Sequence, residues 1–169
     1  HPLMLGCDIR SYLREARRLG FTRFIFLERN YVRKIVSHLV ATERETFHVQ
    51  RHIRPPKTHV RIDPNRLYLG HRFTTLDKAL RQYRRFREEA LEELKNDAVL
   101  HLSYEEDIQN DPQVALRKAC NFLDLPVHRP AVRFGKTTNR PLRDVIENFR
   151  EFELAVEQAG FAAELGDGT

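Results

Sequence analysis

The chain has no tryptophan, one methionine and only two cysteines. Cys7 and Cys120 are too few for a disulfide framework, and the apolar helical pattern around Cys120 marks it as a buried thiol. No run approaches the roughly 18 apolar residues of a membrane span, and the start lacks the charged and apolar regions of a signal peptide. A cytoplasmic location is therefore expected. Metal-ligand spacing is missing too, so no metal is predicted. The charge balance is mild, 29 Lys and Arg against 24 Asp and Glu, for a net +5. That excess suits a polyanionic small ligand without calling for nucleic acid. With 169 residues there is room for one core, and a single domain over residues 1–169 is expected.

What is present is an α/β order. Residues 9–19 read as a helix that Gly20 interrupts, and Arg23 to Leu27 as a strand. The strand stops at Arg29 and turns at once into a basic helix whose apolar set is Val32, Ile35, Val36, Leu39 and Val40. Arg33, Lys34 and Ser37 fall away from the centre of that stripe. Where a strand ends and a helix begins, amide donors and the helix dipole favour an anion. Arg29 adds a planar fork of donors and Ser37 a hydroxyl.

Residues 44–74 are polar, with turn signals at Pro55-Pro56 and Pro64-Asn65, and hold His48, His52, His59 and His71. None of these histidines has a short paired spacing on a periodic helix. The stretch is expected to be a mobile or substrate-facing excursion at the acceptor site.

Residues 75–95 form a long helix with Leu76, Leu80, Tyr83, Leu91 and Leu94 on or near one face. The basic run Arg84 to Arg87 has acidic partners four residues on, Glu88 and Glu89, which makes it a solvated face rather than a nucleic-acid patch. Ala98 to Leu102 is a second strand, followed by a loop at Ser103 to Asp107. Asp111-Pro112 then starts a helix, with a cap and a proline where no donor is needed. Leu116, Ala119, Cys120 and Leu123 form its packed stripe, and Leu125-Pro126 ends it. Lys136, Thr137, Thr138 and Arg140 crowd anion-compatible groups before Pro141, which opens a last helix with Leu142, Val145, Ile146, Phe149 and Val156. The economical architecture is α/β, a mostly parallel sheet flanked by helices.

These units resemble the cofactor-binding half of the sulfotransferases that use 3'-phosphoadenosine 5'-phosphosulfate (PAPS). In that family a strand delivers an arginine and the next helix a serine eight positions later, both to the 3'-phosphate, and Arg29 and Ser37 match that spacing. The stretch LSYEEDIQNDPQVALRKACNFLDLP, residues 102–126, is similar to the family's Tyr-Glu-Asp segment, Asp-Pro helix start and Phe-Leu-x-Leu-Pro ending. KTTNRPLRDVIENFREFE, residues 136–153, resembles the C-terminal part of bacterial members.

The resemblance, over roughly residues 23–155, implies a P-loop NTPase-like sulfotransferase fold. It also implies transfer of a sulfuryl group from PAPS to a hydroxyl or amine of a small-molecule or carbohydrate acceptor, leaving adenosine 3',5'-bisphosphate (PAP). Tyr104 would lie by the adenine, and Lys136 would neutralise phosphate charge. Members normally begin with a strand and a Lys/Arg-Ser/Thr loop for the 5'-phosphosulfate. No such loop occurs before residue 23, so the first strand-loop unit is expected to be missing and this chain alone to be inactive.

His1-Pro2-Leu3 is similar to a stretch that supplies the base in some members, and Asp8 is another carboxylate, better read as a cap for the helix near Ile9. No catalytic residue is assigned, and neither the acceptor nor the oligomeric state is legible. A P-loop kinase and a noncatalytic PAP-binding domain are the alternative functions.

Overall fold

The structure, a computed structural model, describes residues 8–45, 49–50, 58–70, 72–128, 134–135 and 140–166. In chain order its elements are α1 (Ile9–Arg18), β1 (Arg23–Glu28), α2 (Tyr31–Glu43), β2 (Val49–Gln50), β3 (Leu67–Leu69), β4 (Arg72–Thr74), α3 (Leu76–Leu94), β5 (Ala98–Ser103), α4 (Pro112–Phe122), β6 (Phe134–Gly135) and α5 (Phe149–Gln158). Two compact units divide the chain: His1–Arg29 with Gln82–Arg129, and Asn30–Arg81 with Pro130–Thr169.

In the first unit, β1 and β5 pair in parallel, from Arg23 opposite Ala98 to Glu28 opposite Ser103. Alternation sorts the side chains of β1. Phe24 and Phe26 pack against a core of Ile9, Leu13, Ala90 and Leu94, supplied by α1 and α3. Ile25 and Leu27, on the other face, are 42% and 51% exposed, so apolar cover lies on one side only. Asp8 caps α1 as expected by accepting the Ser11 amide at 2.9 Å, a bond that holds its carboxyl below the usual range. Beyond α1, Gly20 takes the left-handed conformation at φ 89° that glycine adopts without strain.

Asp111 caps α4 through the Gln113 amide at 3.0 Å, with Pro112 in the first turn. The expected stripe on α4 is thinner than its pattern suggests. Ala115 is its buried residue, whereas Leu116, Ala119, Cys120 and Leu123 are half-buried. A neighbouring sheet of two strands is too narrow to cover a whole helical face. Cys120 is accordingly an intermediate, not a buried, thiol.

The second unit is built on α2, where Val32, Ile35, Val36, Val40 and Ala41 are buried. Val60 forms a parallel bridge with Ile146, its amide donating to Val145 O at 2.9 Å and its carbonyl accepting from Glu147 N at 3.0 Å. Asn148 extends this pairing with its side chain, accepting from Ile62 N at 2.9 Å and donating to Ile62 O at 2.7 Å. A side-chain amide thus replaces a strand partner. Phe152 and Val156 of α5 are fully buried, and Leu142, Val145 and Ile146 are close to it.

Several expectations are corrected here. The sheet is not mostly parallel: beside β1–β5, β3 pairs with β4 and β2 with β6, both antiparallel. The short turn at Gly70, φ 56°, admits only an antiparallel return, since a parallel one needs a long crossover. The 44–74 stretch is not a polar excursion throughout, because Val60, Ile62 and Leu67 are buried and 67–74 is a hairpin. Its Pro64-Asn65 turn is present, with the Asn65 amide on Asp63 Oδ1 at 2.9 Å. Pro141 opens a short 3₁₀ turn, Leu142–Asp144, while α5 begins at Phe149, because Val145 and Ile146 are taken up by the bridge to Val60. The segment after Ser103 is a π-helical turn, Tyr104–Ile108, and not a loop.

Candidate nucleotide-phosphate site

The parallel register sets the geometry at the ends of β1 and β5. Because Glu28 faces Ser103, the next residues on the two strands, Arg29 and Tyr104, leave the sheet side by side at its carboxyl edge. That edge is where open α/β sheets bind ligands. The Arg29 guanidinium lies over the Tyr104 ring, 4.5 Å from its centroid. At that distance the cation is drawn to the ring face. Arg29 Nε is buried and meets no hydrogen-bond partner among the described residues. A buried donor on a cation without an acceptor is costly, and an anionic oxygen is the acceptor that suits it.

A second layer holds the pair in place. Ser103 Oγ accepts the Glu106 amide at 3.4 Å and starts the π turn, which the Gln109 amide closes on Tyr104 O at 2.7 Å. The Asp107 carboxylate, buried, accepts the Ser103 amide at 2.8 Å and Lys118 Nζ at 2.6 Å. The Lys118 bond first, then the Ser103 amide, holds the Asp107 carboxyl below its usual range. Strand β5, the π turn and α4 are thereby pinned around Tyr104. Glu28, just before Arg29, is ion-paired with Arg87 of α3. Arg87 was expected on a solvated face with its neighbours; Arg85 is there, bonded to Glu89 at 2.8 Å, but Arg87 turns inward to β1.

Ser37 belongs to the second unit, and α2 treats it differently from the expectation. It is 9% exposed, because α2 is covered over an arc wider than the stripe of Val32, Ile35, Val36 and Val40. Arg33 and Lys34 are half-buried. The first amides of α2 are also engaged within the chain: Asn30 Oδ1 accepts from Arg33 N at 2.8 Å, and the Glu164 carboxylate accepts from Tyr31 N at 2.8 Å. An acidic side chain of this chain has taken the place expected for an exogenous anion at that helix start.

Arg29 and Tyr104 are thus brought together. Lys136, Thr137, Thr138, His1, His48, His52 and His71 lie outside the described residues, and Arg140 is bonded to His59 in the second unit. The sequence reading missed Asp107 and Lys118 as the supports of Tyr104. A signal was available, since Ser103-x-x-Glu106 has the spacing of a capping box and marks a turn start. Among the described residues no cluster of His, Cys, Asp and Glu is arranged to hold a metal ion, and no helix is long and apolar enough to cross a membrane.

Open α/β folds bind ligands at the carboxyl edge of their parallel strands, and the Arg29–Tyr104 pair sits at such an edge. A family model described as the sulfotransferase family matches residues 19–129, more than half of the chain, a span that includes Arg29, Ser37 and Tyr104. The chain belongs to the sulfotransferase family. No curated protein and no solved structure matches it.

Proposed function

We propose that this chain is the nucleotide-binding part of a sulfotransferase that moves a sulfuryl group from PAPS to a hydroxyl or amine acceptor. The observation that carries the reading is the buried, unmatched Nε of Arg29 on a guanidinium that lies over the Tyr104 ring. Family membership supports it. In this reading Arg29 gives its free donor to the 3'-phosphate, with Ser37 as a hydroxyl contact. Tyr104 lies by the adenine, and Lys136 neutralises phosphate charge. Bound PAPS supplies the activated sulfuryl group; the protein's part is to orient the nucleotide and stabilise negative charge with fixed donors.

Calorimetry with PAP and adenosine 5'-monophosphate tests the binding half. PAP is expected to bind more tightly, and equal affinities would overturn the assignment. The chemical half is tested with radiolabelled PAPS and a mixed hydroxyl and amine panel, using the full-length protein. Sulfate transfer in the absence of added divalent metal is expected. PAP binding with no transfer across the panel would favour a noncatalytic PAP-binding domain, and magnesium-dependent phosphate transfer from ATP would favour a kinase.

A further inference from the structure

In the second unit an open cleft of about 320 Å³ lies between the start of α3 and the last turn of α5. The Pro64-Asn65 turn closes one side of it, tied to α3 by the Leu76 amide, which donates to Pro64 O at 2.7 Å. Leu76 and Ala159, both buried, give the cleft apolar lining. Its polar lining is Asn65, Thr75, Asp77 and Gln158. The Asn65 amide is engaged in the turn, donating to Asp63 Oδ1 at 2.9 Å. The carboxamides of Asn65 and Gln158 meet no hydrogen-bond partner among the described residues. Thr75 Oγ1 accepts the Lys78 amide at 3.3 Å and keeps its own proton to donate. Asp77 Oδ1 accepts Arg81 Nε at 2.7 Å, which leaves the other carboxylate oxygen facing outward from that pair. An aromatic face adjoins the cleft. Tyr68 and Phe73 are direct partners across β3 and β4, with ring centroids 5.2 Å apart, and are 45% and 63% exposed. Arg66, the residue after Asn65, lies over the Phe73 ring at 4.7 Å from its centroid. Leu67 turns to the opposite side and is buried, so the hairpin's core contact is already made without the two rings.

The lining selects the chemistry of the ligand. An anion is disfavoured, because the charged side chain in the cleft is the Asp77 carboxylate, which already answers the dipole at the start of α3. A carboxamide both donates and accepts, and so does a hydroxyl. Two carboxamides, a hydroxyl and a carboxylate therefore suit a ligand that carries several neighbouring hydroxyls. The volume stands at the lower end of the range of about 300–1,000 Å³ for ligand sites, which fits a single ring. Sugar rings also present an apolar C–H face, and exposed aromatic side chains are the groups that cover it. We propose that the cleft binds one ring of a neutral saccharide, with the Tyr68–Phe73 face taking the apolar side of the next ring. Binding here uses neither Arg29 nor Tyr104, so it stands apart from the sulfotransferase reading.

The test follows the side-chain amide signals of Asn65 and Gln158 by NMR while cellotriose, maltotriose and chitotriose are titrated in turn into the full chain. At least one trisaccharide is expected to move both signals, and inorganic sulfate to leave them in place. Asn65→Ala and Gln158→Ala should each weaken that trisaccharide roughly ten-fold, the scale of one hydrogen bond. Both side chains are exposed, so these variants keep the fold. Phe73→Ser should weaken the trisaccharide but leave the response to the matching methyl monosaccharide within about two-fold of wild type, because the cleft itself is untouched. Signals that none of the three sugars moves would overturn the site, as would full affinity in both alanine variants. Movement with sulfate alone would overturn the neutral ligand and make the start of α3 an anion site. An unchanged trisaccharide affinity in Phe73→Ser would overturn the role of the aromatic face. Each of these results is read without PAP, so it is independent of whether the nucleotide binds.

Discussion

The guanidinium of Arg29 lies 4.5 Å above the ring of Tyr104, and the two residues follow the paired ends of parallel strands, Glu28 and Ser103. Neither residue needs a loop to bring it to the other, because strand register does so. The positions of both residues are therefore set by the sheet that precedes them.

Arg29→Ala should weaken PAP binding by about 1.5–3 kcal/mol, the scale of a hydrogen bond to a charged group. Arg29→Lys should restore charge but not the flat fork, and so recover only part of the loss. Isothermal calorimetry reads both. Arg84→Ala, on the exposed side of α3, is the comparison and should leave affinity unchanged.

Tyr104→Phe keeps the ring under Arg29, whereas Tyr104→Leu removes it. The expected loss on going to Leu is about 0.5–2 kcal/mol of cation–π interaction, with Phe close to wild type. If PAP affinity instead followed the hydroxyl, with Phe as poor as Leu, the stacking account would be wrong.

Asp107 makes stability depend on acidity. Its folded-state pKa is lowered by Lys118 and the Ser103 amide, so its contribution is present above the ordinary carboxylate value of 3.8 and is lost as pH falls through the lowered folded value. Asp107→Asn should therefore be less stable than wild type near neutrality. The gap should close as pH falls below the ordinary carboxylate value and through the lowered folded one, where the wild-type carboxylate protonates. Urea denaturation at a series of pH values measures it, and a gap that stays constant would remove Asp107 from this role.

Asn148→Ala deletes both bonds to Ile62 and leaves a buried strand segment without its partner. A cost of about 1–3 kcal/mol is expected. Asn148→Asp should be no better than Ala, since its carboxylate would face the Ile62 carbonyl and the Glu151 carboxylate to which Asn148 Nδ2 donates. Denaturant midpoints at neutral pH discriminate them.

The elements most legible in the sequence were those whose signals are local. The caps at Asp8 and Asp111, the strand expected over 23–27 and found over 23–28, and the long helix expected over 75–95 and found over 76–94 follow from residue type and periodicity. Pairing was less legible, because the strands of the 44–74 stretch are three residues long or shorter, too short for alternation to show. Ser37 was placed correctly on its helix, but its burial depends on what covers α2 from several directions, which one stripe cannot tell. Arg87 shows the same limit: its four-residue neighbours favoured a surface pair, and a partner 59 positions away in the chain prevailed. The place of Arg29 just after a strand was readable, whereas its contact with Tyr104 became visible only with the register of β1 and β5.

The bond from the Tyr31 amide to the Glu164 carboxylate joins residues 133 positions apart, and Asn30 Nδ2 reinforces it by donating to Glu164 O at 2.8 Å. A first-turn amide ordinarily exchanges its hydrogen quickly, since no helical carbonyl precedes it. Here that exchange is slaved to undocking of the short 3₁₀ turn Ala162–Leu165. Deuterium uptake at Tyr31 is thus a clock for the end of the chain, and Glu164→Gln should run it faster while leaving the interior of α2, around Val36 and Val40, protected.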